Sequence, residues 1–169
     1  GYPLFLSAIY RLHGVSPQAV LYYQYVLTFA CGALLVLAGV LLWGQLGLLA
    51  GLGAALVFGA DVESAYSGAQ MLTECLARFY SLAAFVAAIY ALKGRAWREG
   101  LVSIFLIGAL FTRPGMVLIC VWYVAILSAR LLFNLANFSK KPNDLAVSCN
   151  CINRLLWFCI PLVISIGLW

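Results

Sequence analysis

The chain has 169 residues, of which 66% are hydrophobic and 9% charged, with a mean hydropathy of +1.05. A water-soluble domain carries roughly a quarter charged residues, so composition excludes a soluble globular fold and predicts an all-α, polytopic transmembrane bundle. The net charge of +5 does not point to nucleic acid. Seven of the ten basic residues (Lys93, Arg95, Arg98, Arg130, Lys140, Lys141 and Arg154) fall in or beside two polar segments between apolar runs. That is the pattern of cytoplasmic loops, with anionic headgroups of membrane lipids as their partners.

In chain order, Pro3 to Leu12 reads as a short apolar helix ending in Arg11, His13 and Gly14. Pro3 suits a first helical turn and Gly14 a helix stop. Tyr22, Tyr23 and Tyr25 follow, residue types that gather at membrane interfaces. The stretch is expected to lie along the outer surface and then turn into the first span. About six membrane segments are predicted: Ala19 to Trp43, Leu46 to Ala60, Leu72 to Leu92, Gly100 to Phe111, Pro114 to Phe133, and one from Leu155 to the chain end. A span needs about 20 apolar residues, and the second and fourth fall short of that count. Residues 1–169 read as one transmembrane domain without internal repeat or linker. The lack of an initiating methionine and the short last span, 15 residues from Leu155 to Trp169, predict a piece of a larger protein.

The basic loops set the expected orientation. Lys93 to Arg98 and Arg130 to Arg154 face the cytoplasm; the N-terminal stretch, the loop from Asp61 to Met71 and the Arg113-Pro114 turn face the other side. Asp61, Glu63, Glu74 and Arg113 then gather at one membrane face.

Glu74 opens the third span, where the positive end of the helix dipole favours a carboxylate. Arg78, four residues on, shares its face and can pair with it. Glu74 is thus either a local ion-pair partner at a helix start or a carboxylate at the floor of an outward cavity, where it orients a polar substrate or a metal. Arg113 precedes Pro114, which disfavours helical geometry at Arg113 itself. Its guanidinium fork suits a phosphate; the other reading is an arginine snorkelling to headgroups. Asp61 and Glu63, beside Tyr66, Ser67 and Gly68, are two acids in a polar loop, either general acid and base or simply solvated. His13 is the sole histidine, so no familiar zinc triad can form and an interfacial role is expected for it. Cys31, Cys75, Cys120 and Cys159 lie in apolar runs and act as small hydrophobes. Cys149 and Cys151 make one Cys-x-Cys without a second ligand pair. Gly47-Leu48-Leu49-Ala50-Gly51 is a GxxxG pattern that permits close helix packing.

The order of these features resembles a family. Gly1-Tyr2-Pro3-Leu4-Phe5 with its apolar helix and Gly14, then Tyr66-Ser67-Gly68 leading to Leu72-Thr73-Glu74, then Leu110-Phe111-Thr112-Arg113-Pro114 look like motifs of the GT-C class of polyprenyl-phosphate-sugar-dependent membrane glycosyltransferases. That class includes protein O-mannosyltransferases, lipid A aminoarabinose transferases and bacterial Rgt-type enzymes. The resemblance covers residues 1 to 133. It implies inverting transfer of a sugar from a polyprenyl-phosphate donor to a lipid, glycan or protein acceptor on the non-cytoplasmic face of a bacterial inner membrane. It also implies substrate contacts at Glu74 and Arg113, with Arg78, Tyr66 and Asp61 near them. The family's catalytic base, usually an Asp, stands upstream of the Gly-Tyr-Pro segment, so no catalytic residue is assigned to this chain. No cofactor is specified; a divalent cation stays open, without a clear ligand set. The competing readings are a transporter or flippase-like protein and a non-catalytic membrane subunit. Paired repeats and helices broken near the midplane would mark the transporter; here the polar groups are expected at one face only.

Overall fold

The computed structural model describes residues 1–60, 73–92, 96–113, 115, 117–138 and 152–161, and all of the regular structure among them is helical. In chain order the elements are α1 (Tyr2–His13), α2 (Pro17–Trp43), α3 (Gln45–Ala60), α4 (Thr73–Leu92), a 3-10 turn (Ala96–Arg98), α5 (Glu99–Thr112), α6 (Val117–Phe138) and α7 (residues 152–161).

The helix limits follow from local chemistry. Gly14 ends α1 at φ 69°, a conformation that costs a side-chain-bearing residue about 1–2 kcal/mol. Ser16 starts α2: its hydroxyl accepts a hydrogen bond from the Ala19 amide at 3.4 Å, and Pro17 fills the first helical position. Gly44 breaks α2 from α3 at φ 65°, its amide still donating to the Val40 carbonyl at 2.9 Å. α5 stops at Arg113, whose φ of −147° and ψ of 111° are the extended geometry expected before Pro114. The Arg113 amide donates to the Ala109 carbonyl at 2.9 Å, and the Thr112 hydroxyl reaches the same oxygen at 2.7 Å.

Helices α2 and α3 pack as a hairpin, α4 packs along α2, and α5 folds back along α4; α6 approaches α5 at few points. The α2–α3 contact is made by small residues. A methyl group on Gly47 would run into the Gly39 carbonyl, and one on Gly51 would lie 2.7 Å from the Val36 Cα. The GxxxG pattern therefore serves packing within this chain. The largest core cluster joins Ala84, Ala87 and Ala91 of α4, Val102 and Leu106 of α5, Cys120 and Leu127 of α6, and Phe158 of α7.

Among the described residues two helices, α2 and α4, are long and apolar enough to cross a membrane, with mean hydropathies of 2.4 and 1.7. This corrects the expected count of about six. Helix α3 has 16 residues and α5 has 14. At a rise of about 1.5 Å per residue they reach roughly 24 and 21 Å, short of a hydrocarbon core of about 30 Å. The outward surface is apolar, with Phe29 82%, Leu46 78% and Trp122 71% exposed. Exposed apolar side chains of this size fit a lipid surrounding.

Candidate functional site

Because α4 and α5 run antiparallel, the first turn of α4 meets the last turn of α5. Glu74 stands at the second position of α4, and Arg113 follows directly after α5. The Arg113 Nη1 donates to Glu74 Oε1 at 3.0 Å, with Arg113 53% and Glu74 33% exposed. An ion pair this accessible contributes about 0–1 kcal/mol to stability. Folding energy therefore gives little reason for its presence. The backbone at Arg113 is extended, and its guanidinium meets Glu74 of α4 while about half of the side chain stays exposed.

The neighbouring groups tie two further helices, α1 and α2, to this end. The Cys75 thiol donates to the Gln24 carbonyl at 3.3 Å, and the Thr28 hydroxyl donates to the same oxygen at 3.0 Å. Gln24 is 1% exposed, and its Nε2 donates to the Tyr2 hydroxyl at 3.4 Å. Burial, with Tyr10 as a lesser cause, raises the Tyr2 phenol above its ordinary pKa, so it stays protonated. Gly1 lies against the backbone of Phe111 and Thr112. His13 meets the Tyr23 hydroxyl at 3.0 Å and thus joins α1 to α2.

Beside Thr28, a groove of about 510 Å³ opens between α2 and α3, lined by Tyr25, Phe29, Val36, Leu52, Leu56 and Phe58 among others. Thr28 lines the groove and also lies 3.5 Å from the Cys75 thiol, next in sequence to Glu74. An apolar slot and an ion pair thus occupy the same end of the bundle.

Of the residues singled out in the sequence, Glu74 and Arg113 are brought together. Arg78 stands one turn further along α4, partly buried. The 3.0 Å ion pair that Glu74 makes is with Arg113, 39 positions on, whereas the sequence pointed to Arg78. Asp61 and Tyr66, with Glu63, lie outside the described residues. Among the described residues no three His, Cys, Asp or Glu side chains gather as a metal site.

A second charged cluster sits at the opposite end of the α4–α5 hairpin. Glu99, in the first turn of α5, is fully buried; Arg154 Nη1 donates to its Oε1 at 3.0 Å and Tyr123 Oη donates to its Oε2 at 2.6 Å. The same Arg154 nitrogen donates to the Ala91 carbonyl at 2.8 Å near the end of α4. Arg98 lies 3.8 Å over the Tyr90 ring and donates to the Tyr90 carbonyl at 3.4 Å. Two arginines that the sequence assigned to lipid-facing loops are therefore engaged within the bundle. Sequence reasoning missed Glu99. The available signal was an acid placed directly before a run of apolar residues, Gly100 to Phe111, the same signal that singled out Glu74. Seventeen residues separate Glu74 from Ala91 along α4, about 26 Å at the helical rise. The expectation of polar groups at one face only is corrected accordingly.

No family model, curated protein or solved structure matches this chain.

Proposed function

We propose that this chain is the donor-binding scaffold of a GT-C-type membrane glycosyltransferase, multi-pass in a bacterial inner membrane, with Glu74 and Arg113 facing the non-cytoplasmic side. The observation that carries the reading is the open 3.0 Å pair between those two residues at the rim of the bundle. A polyprenyl-phosphate sugar presents an anionic headgroup at the membrane face and a hydrocarbon tail within it. Arg113, half exposed, offers its guanidinium to the phosphate, Glu74 fixes the guanidinium and faces the sugar hydroxyls, and the α2–α3 groove accepts the tail. In the transfer step the acceptor oxygen bonds to the sugar's anomeric carbon as the bond to phosphate breaks. The electron pair of that bond leaves on the phosphate, where Arg113 offsets the new charge.

The acceptor's proton needs a base. Glu74 and Glu99 are the only carboxylate side chains among the described residues, and both are ion-paired. The role proposed here is donor binding.

Binding of a polyprenyl-phosphate sugar to the protein in lipid nanodiscs tests the reading. Loss of a hydrogen bond to a charged group costs about 1.5–3 kcal/mol, so Arg113→Ala is expected to weaken binding roughly 10- to 150-fold. Glu74→Gln is expected to weaken it less. Unchanged affinity in both variants removes the pair from the site.

The buried cluster around Glu99 favours one alternative, a transport protein with charged groups at both ends of a helix hairpin. Movement of the lipid-linked sugar between leaflets of sealed vesicles, independent of any acceptor, would select that reading.

A further inference from the structure

The four helices α2 to α5 pack along their lengths, whereas α6 comes near α5 at few positions. The seam between α6 and the α4–α5 hairpin contains a gap of about 160 Å³, lined by Phe85, Leu106, Ile119, Trp122 and Tyr123 among others. The gap is a groove open along one side, so the packing of α6 against the hairpin is incomplete there. Its apolar closure comes from Cys120, Leu127 and Phe158, buried in one cluster with residues of α4 and α5. Its polar closure is the buried Glu99 carboxylate, which holds Tyr123 of α6 at 2.6 Å and Arg154 of α7 at 3.0 Å, one on each oxygen. Arg154 reaches past it to the Ala91 carbonyl of α4 at 2.8 Å. One fully buried side chain therefore joins α5 directly to α6 and α7, and through Arg154 to α4.

We propose that Glu99, Tyr123 and Arg154 form a clasp that seats α6 and α7 on the α4–α5 hairpin, and that its release opens the seam. The clasp is independent of the glycosyltransferase reading. A buried charge pair suits this task because it is bistable: the carboxylate is either held by both partners or left as a charge in a low-dielectric interior, with no stable position between. Apolar contact across a gap, by contrast, yields gradually.

The chain carries its own reporters. Cys120 is buried on α6 at the seam and Cys159 half-buried on α7 beside it, while Cys31 and Cys75 are buried within α2 and α4. Alkylation of each thiol by the membrane-permeant reagent N-ethylmaleimide, with the full chain in nanodiscs, can be followed by mass spectrometry. In Glu99→Gln, loss of the ion pair is expected to speed labelling of Cys120 and Cys159 about a hundredfold, with Cys31 and Cys75 unchanged. Tyr123→Phe keeps the ion pair and removes one hydrogen bond, and it covers the case in which Glu99→Gln fails to fold. Its expected effect is a rise of about tenfold at the same two thiols. A rise confined to Cys120 and Cys159 in either variant supports the clasp. An equal rise at all four thiols, or no rise in either variant, overturns it.

Discussion

Two ion pairs with the same 3.0 Å separation differ in what surrounds them. Around Glu74 and Arg113 water or headgroups reach both side chains, and screening leaves the pair about 0–1 kcal/mol. Around Glu99 and Arg154 the carboxylate is fully buried and the guanidinium 14% exposed. Removing one partner there strands a charge, at a cost of about 3–5 kcal/mol. Arg154→Met should therefore lower stability by that amount, read from thermal unfolding in detergent. Adding Glu99→Leu and Tyr123→Phe to Arg154→Met should recover most of it, since apolar replacement of a whole buried ion pair is often neutral. If the triple variant stays as unstable as the single one, the loss comes from packing of the Arg154 stem, not from charge.

At the scale of elements, the α2–α3 hairpin depends on glycine more than on any apolar side chain. Gly47 and Gly39 bring the two backbones into direct contact, and Gly44 turns the chain at φ 65°. Gly47→Ala places a methyl group against the Gly39 carbonyl, and overpacking of this kind costs about 1–3 kcal/mol. The expected result is a matching fall in stability, with the helices forced apart along the groove that begins at Val36. A neutral Gly47→Ala would mean that the hairpin is looser than this contact implies. The GxxxG spacing was readable as a close-packing signal; its partner, Gly39 on the preceding helix, was not. Nothing local in the sequence says which face of α2 meets it.

At the scale of the molecule, the α4–α5 hairpin has charge at each end, separated by about 26 Å of helix. That is close to the thickness of a hydrocarbon core, about 30 Å, so each cluster falls near one interface when the hairpin crosses a bilayer. A membrane-impermeant maleimide applied to sealed vesicles should then reach Ser7→Cys and Gly115→Cys from one side and Trp97→Cys from the other. Labelling of all three from one side would remove the spanning arrangement. Helices α3 and α5 are shorter than a span; among the described residues α2, with 27 residues, and α4, with 20, are long and apolar enough to cross.

The positions of the helices were legible from the residues because hydropathy, proline and glycine act over a turn or two of chain. Most predicted segments begin and end within a few residues of the observed helices, and the stop at Arg113 followed from Pro114 alone. The meeting of Glu74 with Arg113 was legible only as a shared membrane face; the fold added the 3.0 Å contact that a local pairing rule had assigned to Arg78. The pairing of Glu99 with Tyr123 and Arg154, 24 and 55 residues on, was beyond local reading. Composition and periodicity decide which stretches become helices, since those are properties of neighbouring residues. Which charges are buried, and against what, depends on helix packing across the whole chain, and only the tertiary structure decides it.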